Sequence, residues 1–240
     1  MKTRNLSICF VILFLLLAGI VSAKEYKVVV PQMPEPVIAP YKNLINLFPT
    51  VSTDTFPIEI VPFARGFYLI SEKQADILLP LLEIPDVSKH AALKFDYSTV
   101  NIIDIVFVLC SNKSKNVDVA ELKKGNPKKF KIETDMAHTD YFSFACTGST
   151  NAEASLKKVD AGTIDGYIFG QPTTNLILKK IPMKNIKRQY YDTFHMKFLI
   201  QKGTKGGELD KKLTVLIEKL KANGKYQEVL KFDAYNDWQP

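Results

Sequence analysis

The stretch PFARGFYLISEKQADILLPLLE, residues 62–83, decides the fold class of this chain. Apolar runs lie at its two ends, over residues 58–63 and 75–82, and each has the length of a buried strand. The segment between them carries Arg65 and Glu72 among apolar residues, which is the pattern of a short amphipathic helix. Strand, helix and strand at this spacing predict a βαβ unit with parallel strands and a right-handed crossover. We therefore expect an α/β protein that binds its ligand at the carboxyl ends of its strands.

The first 23 residues have the layout of a secretory signal peptide. Lys2 and Arg4 precede an uncharged run over residues 6–20, and Val21-Ser22-Ala23 offers a cleavage site of small residues. The alternative is an uncleaved membrane anchor, but the apolar run is short for a bilayer span. No other stretch of the sequence is apolar enough to span a membrane. We therefore expect a periplasmic protein whose mature chain is soluble and begins at Lys24.

Composition and charge argue against a nucleic-acid-binding protein. The chain has 240 residues and a formal net charge of +7, and its lysines are spread out, with mild clusters at residues 123–124 and 128–131. This distribution is typical of solvated helix faces rather than of a phosphate-binding surface. The length that remains after the signal peptide suits one large domain or two small lobes.

Metal and nucleophilic chemistry lack a sequence signature. His90, His138 and His195 lie far apart in the chain, without the i,i+4 spacing of a helical metal site, and no G-x-S-x-G motif is present. Cys110 and Cys146 remain after the signal peptide, and either a disulfide or two buried thiols fits their positions. We expect no metal, no cofactor and no catalytic residue.

Further along the chain, the pattern predicts a second body. The β-branched run over residues 100–109 is long enough to leave one body and enter another, and residues 196–201 are an extended segment that can lead back. Capping boxes at residues 118–121 (DVAE) and 150–153 (TNAE) each predict the start of a helix, and Pro172 predicts another.

Two local segments carry further predictions. Prolines near the N-terminus predict a loop that leads to a short helix over residues 41–48. Residues 130–134, in which Phe130 and Ile132 alternate with charged residues, and residues 141–146, a short and largely apolar run, are both predicted to be strands.

Five segments, in order, carry a resemblance to a known family. They are PFARGFYLISEKQADILL, SKHAALKFDYS, AELKKG, NAEASLKKVDAGTIDGYIFGQP and LIEKLKANGKYQEVL. In this order and spacing they resemble the periplasmic solute-binding proteins of family 3, which are mostly amino-acid receptors of ABC importers. The most specific matches lie at residues 161–168 and 220–227, and the resemblance covers nearly the whole chain after the signal peptide.

The resemblance implies a type II clamshell of two α/β lobes. Residues 24–102 and 196–240 would form lobe 1, and residues 103–195 would form lobe 2. Each lobe would be a mixed, mostly parallel sheet flanked by helices, and two strands would form the hinge. A small-molecule ligand would be held in the cleft between the lobes of a monomer, and a membrane permease or sensor would read the closed form.

The sequence departs from the family where a zwitterionic ligand would be held. Family members that bind amino acids usually present an arginine to the α-carboxylate and an aspartate to the α-ammonium. Ala91 and Gly170 stand at these two positions, and a shifted alignment would instead bring Lys89 or Asp165 into the cleft. Because desolvating an unpaired charge is costly, we expect a polar or anionic solute rather than a standard amino acid.

The candidate ligand-binding residues are Arg65, Glu83, Thr134, Asp135 and Gln171. Arg65 lies at a strand-to-helix turn and can supply a cation, and Glu83 ends a buried strand. Thr134 and Asp135 end a predicted strand of lobe 2, and Gln171 offers an amide beside Gly170. A solvated surface position is the alternative for Arg65 and for Glu83.

The leading hypothesis is a non-enzymatic binding protein whose solute rests on an aromatic wall formed by Phe63, Phe169 or Tyr141. One alternative is a secreted enzyme on the same fold, similar to prephenate or arogenate dehydratases, with Glu83 as general acid or base. The other is an orphan protein-contact module with a degenerate cleft.

Overall fold

The computed structural model describes residues 23–33, 35–125 and 128–240. The predicted signal peptide therefore lies outside the described residues, apart from Ala23. The strands are β1 (Val28–Pro31), β2 (Ile58–Val61), β3 (Ile77–Leu82), β4 (Phe95–Asn112), β5 (Ile132–Asp135), β6 (Thr147–Ser149), β7 (Gly166–Gly170) and β8 (Ile186–Gln201). The α-helices are α1 (Glu35–Leu47), α2 (Phe63–Ser71), α3 (Val119–Lys123), α4 (Ala152–Asp160), α5 (Gln171–Lys180), α6 (Glu208–Ala222) and α7 (Lys225–Val229). None of the described helices is long and apolar enough to cross a membrane.

All eight strands belong to one mixed sheet in the order β2-β1-β3-β8-β4-β7-β5-β6. Strand β1 pairs in parallel with β2 and β3, and β5 pairs in parallel with β6 and β7. The two long strands are antiparallel, because β8 runs against β3 and β4, and β4 runs against β7. The predicted α/β class is confirmed.

The sheet has two halves, and among the described strands only β4 and β8 run through both. The first half contains β1, β2 and β3 with the start of β4 and the end of β8. The second half contains β5, β6 and β7 with the end of β4 and the start of β8. Between them, residues 104–106 pair with residues 193–195, and no other described strand pairs with this two-stranded ribbon. The lobe boundaries near residues 102 and 196 stay a prediction, with which this ribbon is compatible.

The βαβ unit predicted from residues 62–83 is present as β2, α2 and β3. Both strands pair with β1, so that β1 lies between them. Helix α2 packs closely on the sheet through Gly66, where an added Cβ would lie 3.0 Å from Leu78 Cδ1. The buried Leu69 and Ile70 form one face of α2. The apolar positions in the sequence therefore predicted both the helix and the face that it buries.

Four hydrophobic clusters fill the space between the sheet and the helices. The first half buries α1, α6 and α7 on one side of the sheet and α2 on the other. The second half buries α3 on one side and α4 and α5 on the other. Side chains such as Phe48, Phe198 and Leu156 are fully buried, and each contributes roughly 1.5–3 kcal/mol to folding by leaving water.

The predicted proline-rich loop before residue 41 is wrong, because α1 begins at Glu35 and includes Pro40. Proline within a helix removes one hydrogen bond. Burial of Ile38, Leu44 and Ile45 in the first cluster compensates for that loss.

The second capping box is displaced by one residue. The Asp118 side chain accepts from the Ala120 amide and caps α3, as predicted, but Asn151 rather than Thr150 caps α4 by accepting from the Ala154 amide.

The strand predicted over residues 141–146 is also wrong. The chain forms a 3₁₀ segment at Met136–Tyr141 and an irregular segment after it, and the short strand β6 begins only at Thr147. The side chains of Phe142 and Phe144 are buried against the second half without strand pairing. The alternating apolar residues of this segment pack a loop against the core and do not form a strand.

Both cysteines that remain after the signal peptide are free thiols. Cys110 is fully buried, and burial raises the pKa of its thiol to about 12. Cys146 is half-buried, and its thiol lies 3.7 Å from the Thr139 carbonyl oxygen.

Candidate functional site

Two 3₁₀ segments face each other across the gap between the halves of the sheet. Val87–Ala92 follows β3 in the first half, and Met136–Tyr141 follows β5 in the second half. Each is capped by an aspartate: Asp86 accepts from the Ser88 amide at 3.0 Å, and Asp135 accepts from the Ala137 amide at 2.9 Å. Both segments follow the carboxyl ends of parallel strands, which is where α/β sheets bind ligands. We call their contact the junction.

Two hydrogen bonds join the halves at the junction. The Tyr141 hydroxyl donates to the Leu82 carbonyl oxygen at 2.6 Å. The Lys89 ammonium donates to the Asp140 carbonyl oxygen at 3.0 Å. Burial raises the pKa of Tyr141, so its hydroxyl stays protonated and remains a donor. The halves are therefore held together by one neutral and one charged donor, each on a main-chain acceptor.

Aromatic rings line the second half of the junction. The His138 ring centroid lies 5.0 Å from Tyr141, 5.7 Å from Phe169 and 5.8 Å from Phe107. Phe194, from the ribbon, stacks edge-on against Phe107 at 4.5 Å. His138 therefore occupies the middle of an aromatic cluster that spans β4, β7, β8 and the 3₁₀ segment.

A carboxylate orients the histidine of this cluster. Asp135 Oδ1 lies 3.2 Å from His138 Nδ1. The hydrogen bond from His138 holds the pKa of Asp135 below its usual value, against the effect of its partial burial. The Asp135 carboxylate is therefore charged at neutral pH and fixes the direction of the imidazole ring.

The first half contributes a second, smaller polar group. His90 Nε2 lies 2.7 Å from the Ile84 carbonyl oxygen, and the His90 ring lies 5.0 Å from the Tyr97 ring. The Tyr97 hydroxyl accepts from the Ile84 amide at 3.4 Å, and burial raises the pKa of Tyr97 to about 12. These contacts fix the chain that leaves β3, where Glu83 lies.

Glu83 lies beside the junction, but a lysine engages it. Its carboxylate is 3.6 Å from the ammonium of Lys197, whose side chain is only 9% exposed. Lys197 also donates to the Thr99 carbonyl oxygen at 3.0 Å. Burial lowers the pKa of Lys197, and the nearby Glu83 charge opposes that effect. Glu83 therefore neutralises a buried cation, and its ligand role stays a prediction.

Of the other predicted residues, Asp135 alone lies at the junction with a partly exposed side chain. Thr134 is fully buried, and its hydroxyl donates to the Ile168 carbonyl oxygen at 2.8 Å. Gln171 is fully buried, and its amide binds the main chain at Asp233, Ala234 and Asn236. The described contacts of Thr134 and Gln171 hold neighbouring main chain in place, and the ligand roles of these two side chains stay predictions.

Arg65 is not brought together with the other candidates. Its side chain is exposed on α2, and its guanidinium lies 5.0 Å above the Tyr68 ring. It lines a shallow surface pocket with Lys27, Glu59 and Asp76, on the side of the first half beside the edge strand β2. Lys89, rather than Arg65, is the cation of the first half that contacts the second half, through the Asp140 carbonyl oxygen.

Sequence reasoning named Lys89 only as an alternative and did not name His138 as a binding residue. Lys89 lies two residues before Ala91, the position aligned with the arginine of the family, and Ala91 itself is exposed. Gly170 is buried and directly precedes α5, and the atoms nearest to its Cβ position belong to the apolar residues Ile105, Phe107 and Pro172. The signal that could have identified the site was the aromatic content of residues 138–144.

The junction can bind a solute by stacking and by single hydrogen bonds. It offers aromatic faces, one exposed ammonium at Lys89, and the Asp135–His138 pair. Among the described residues, no group of three or more His, Cys, Asp or Glu side chains could hold a metal ion.

Comparisons with known proteins find the fold but no sequence relative. No family model matches the chain, and no curated protein matches its sequence. The ligand-binding core of GluR0 in complex with L-glutamate superposes with a TM-score of 0.60 at 15% identity, covering 88% of this chain and 97% of that one. The arginine-, lysine-, histidine-binding protein ArtJ from Geobacillus stearothermophilus has a TM-score of 0.57 at 14% identity, covering 85% and 93%.

A third similar structure is an ancestral amino acid-binding protein described as a precursor of cyclohexadienyl dehydratase. Its TM-score is 0.57 at 14% identity, covering 85% of this chain and 93% of that one. The predicted likeness to solute-binding proteins is therefore confirmed at the level of the fold.

Proposed function

We propose that this chain is an exported solute-binding protein that holds a small anionic or neutral solute between two lobes. The observation that carries the proposal is the junction, where Tyr141 and Lys89 donate to main-chain oxygens of the opposite half. Both donors are groups that a solute could engage in place of the protein's own carbonyls. The closed form would be presented to a membrane transporter or sensor.

The chemistry of the junction favours a carboxylate with an aromatic or apolar body. Lys89 supplies a cation, and the Tyr141 and Phe169 rings supply stacking surface. A zwitterionic amino acid would need an additional carboxylate for its ammonium, and Gly170 stands where the family usually has one. Asp135 is already engaged by His138, so it is a poor replacement.

Solute binding must compete with the contacts that hold the junction. A ligand shifts an equilibrium between open and closed forms only by its differential affinity for them. The Tyr141–Leu82 hydrogen bond contributes about 1 kcal/mol to the form described here. A solute that accepts a hydrogen bond from the Tyr141 hydroxyl would replace the lost Tyr141–Leu82 bond and offset its free energy.

The Glu83–Lys197 pair supports a binding protein over a dehydratase-like enzyme. A general acid or base must transfer its proton to a substrate, whereas this carboxylate compensates a buried ammonium. The remaining alternative is a degenerate cleft that serves only as a protein contact. The calorimetric test described next distinguishes this alternative from solute binding.

Calorimetry with two solute panels tests the proposal. One panel contains aromatic and aliphatic carboxylates such as phenylacetate and phenylpyruvate, and the other contains the twenty common amino acids. We expect at least one carboxylate to bind at micromolar concentration and the amino acids to bind at millimolar concentration or not at all. Tight binding of an amino acid would contradict the solute class, and no binding in either panel would favour the protein-contact alternative.

A further inference from the structure

The C-terminal tail, residues 231–240, leaves the first half of the sheet and docks on the second. It follows α7, whose end is fixed where the Leu230 amide donates to the Tyr226 carbonyl at 2.9 Å. Leu230 is buried in the cluster of the first half. From there the tail crosses to α5 and β8 of the second half. It is therefore a third link between the halves besides β4 and β8, covalently continuous with the first half and held on the second by non-covalent contacts.

Two buried side chains of the second half hold the tail by its main chain. The Gln171 amide donates to the Asp233 carbonyl at 3.2 Å and to the Ala234 carbonyl at 2.9 Å. The Arg188 guanidinium donates to the carbonyls of Asn236 and Trp238. Gln171 and Arg188 are 0% and 1% exposed, so the tail supplies hydrogen-bond partners to two groups that it also covers.

The end of the tail also covers a strand edge. The start of β8 pairs only with β4 among the described strands, which leaves its other edge without a strand partner. Gln239 fills this edge at Arg188: the Arg188 amide donates to Gln239 Oε1 at 2.8 Å, and Gln239 Nε2 donates to the Arg188 carbonyl at 3.1 Å. Trp238 packs against the second half with its ring 5.3 Å from the Arg188 guanidinium.

The tether between the two anchors is short. Only Lys231 and Phe232 separate Leu230, anchored on the first half, from Asp233, anchored on the second. Three residue steps span at most about 11 Å when fully extended. The two anchors cannot move farther apart than this distance unless the tail leaves its site.

The docked tail is held less tightly than its number of contacts suggests. Asn175 Oδ1, Arg188 Nε and Asn236 Oδ1 are buried and have no hydrogen-bond partner among the described residues. Unpaired buried polar atoms disfavour the state that buries them. Release of the tail is therefore easier than disruption of the sheet beside it.

From these contacts we propose that the C-terminal tail is a strap that limits how far the two halves separate, and that wide opening requires its release. The strap acts through the length of residues 231–232 and the docking of residues 233–239. It does not depend on which solute the junction binds.

An insertion separates tether length from docking. Four Gly and Ser residues inserted between Lys231 and Phe232 add up to about 14 Å of reach and leave the docked residues unchanged. The same insertion after Gly203, in an exposed turn of the first half, is the matched control. A chain that ends at Leu230 removes the strap altogether.

Distances between spin labels at the exposed positions Glu72 and Lys124 report the separation of the halves, in a Cys146→Ser background without ligand. Trp238 is the only tryptophan of the chain, so its fluorescence reports docking of the tail. We expect the tether insertion to broaden the distance distribution by several ångströms with unchanged Trp238 emission, and the control insertion to leave both unchanged.

The chain that ends at Leu230 should broaden the distribution at least as much as the tether insertion. If that chain does not fold, the tether insertion alone decides the matter. A distribution that is the same with and without the tether insertion overturns the proposal. Because no solute is added, this outcome is independent of the calorimetric test of the proposed function.

Discussion

The hydroxyl of Tyr141 lies 2.6 Å from the main-chain carbonyl oxygen of Leu82, and the two residues belong to opposite halves of the sheet. Tyr141 reaches it because the preceding residues form a 3₁₀ segment rather than a strand. This side chain therefore closes the place where the proposed solute would bind.

Removing that hydroxyl should loosen the junction. We expect Tyr141→Phe to lose about 1 kcal/mol from the contact between the halves, a factor of about five in the opening equilibrium. Hydrogen exchange of the amides in residues 136–141 should accelerate by about the same factor. Tyr226→Phe is the matched control, since Tyr226 donates to the Ile102 carbonyl away from the junction. Equal exchange in the wild type and Tyr141→Phe would show that this bond does not hold the halves.

Lys89 should determine whether anionic solutes bind. We expect Lys89→Met to weaken binding of the best carboxylate of the calorimetric panel about tenfold or more, because a charge-assisted hydrogen bond is lost. Lys113→Met is the matched control: Lys113 is also exposed and donates to a main-chain oxygen, that of Lys184. If Lys89→Met binds the carboxylate with full affinity, Lys89 does not contribute to solute binding.

Asp54 should make the protein sensitive to acid. Burial raises the pKa of Asp54, but hydrogen bonds from Lys212, the Lys24 amide and Ser52 outweigh it and lower the pKa to about 2. Because the folded pKa lies below the unfolded value of 3.8, the stabilisation is present above pH 4 and is lost as the pH falls toward 2. Its size is about 2 kcal/mol. The free energy of unfolding of Asp54→Asn should therefore fall less steeply over this range than that of the wild type, and parallel curves would contradict the assignment.

Cleavage after Ala23 should stabilise the fold through the same carboxylate. The main-chain nitrogen of Lys24 donates to Asp54 Oδ1 at 2.9 Å. Cleavage would make this nitrogen a charged α-ammonium, and a charge-assisted hydrogen bond to Asp54 is stronger than one from a neutral amide. The stabilisation should be roughly 1 kcal/mol.

Urea unfolding at pH 7 of two chains tests this effect: one begins at Lys24, and the other carries an added Gly-Ser before Lys24. The difference between their free energies of unfolding should disappear in Asp54→Asn. A difference that persists in that variant would have another origin.

Glu83 should matter for stability rather than for turnover. We expect no phenylpyruvate from prephenate with the wild type, and a loss of about 1–3 kcal/mol in the free energy of unfolding of Glu83→Gln, because Lys197 loses its charge partner. Glu59→Gln, at an exposed carboxylate, is the control and should be neutral. Turnover that Glu83→Gln abolishes would establish the enzymatic alternative.

The sequence by itself determined the α/β class, the βαβ unit and the face that α2 buries. These follow from local patterns, since the spacing of apolar residues sets the element and Gly66 allows close packing on Leu78. It also indicated the long strand β4 and a returning extended segment at residues 196–201, because a β-branched run such as residues 100–109 is too long for one small lobe.

Only the tertiary structure decided which polar side chains reach the junction. Gln171 and Glu83 were plausible from position, yet their partners Asp233 and Lys197 come from distant parts of the chain. Arg65 lies at a strand end but points to the side of the edge strand. A polar side chain binds whichever group the fold brings within about 3 Å, and sequence spacing carries no information on contacts made across so many residues.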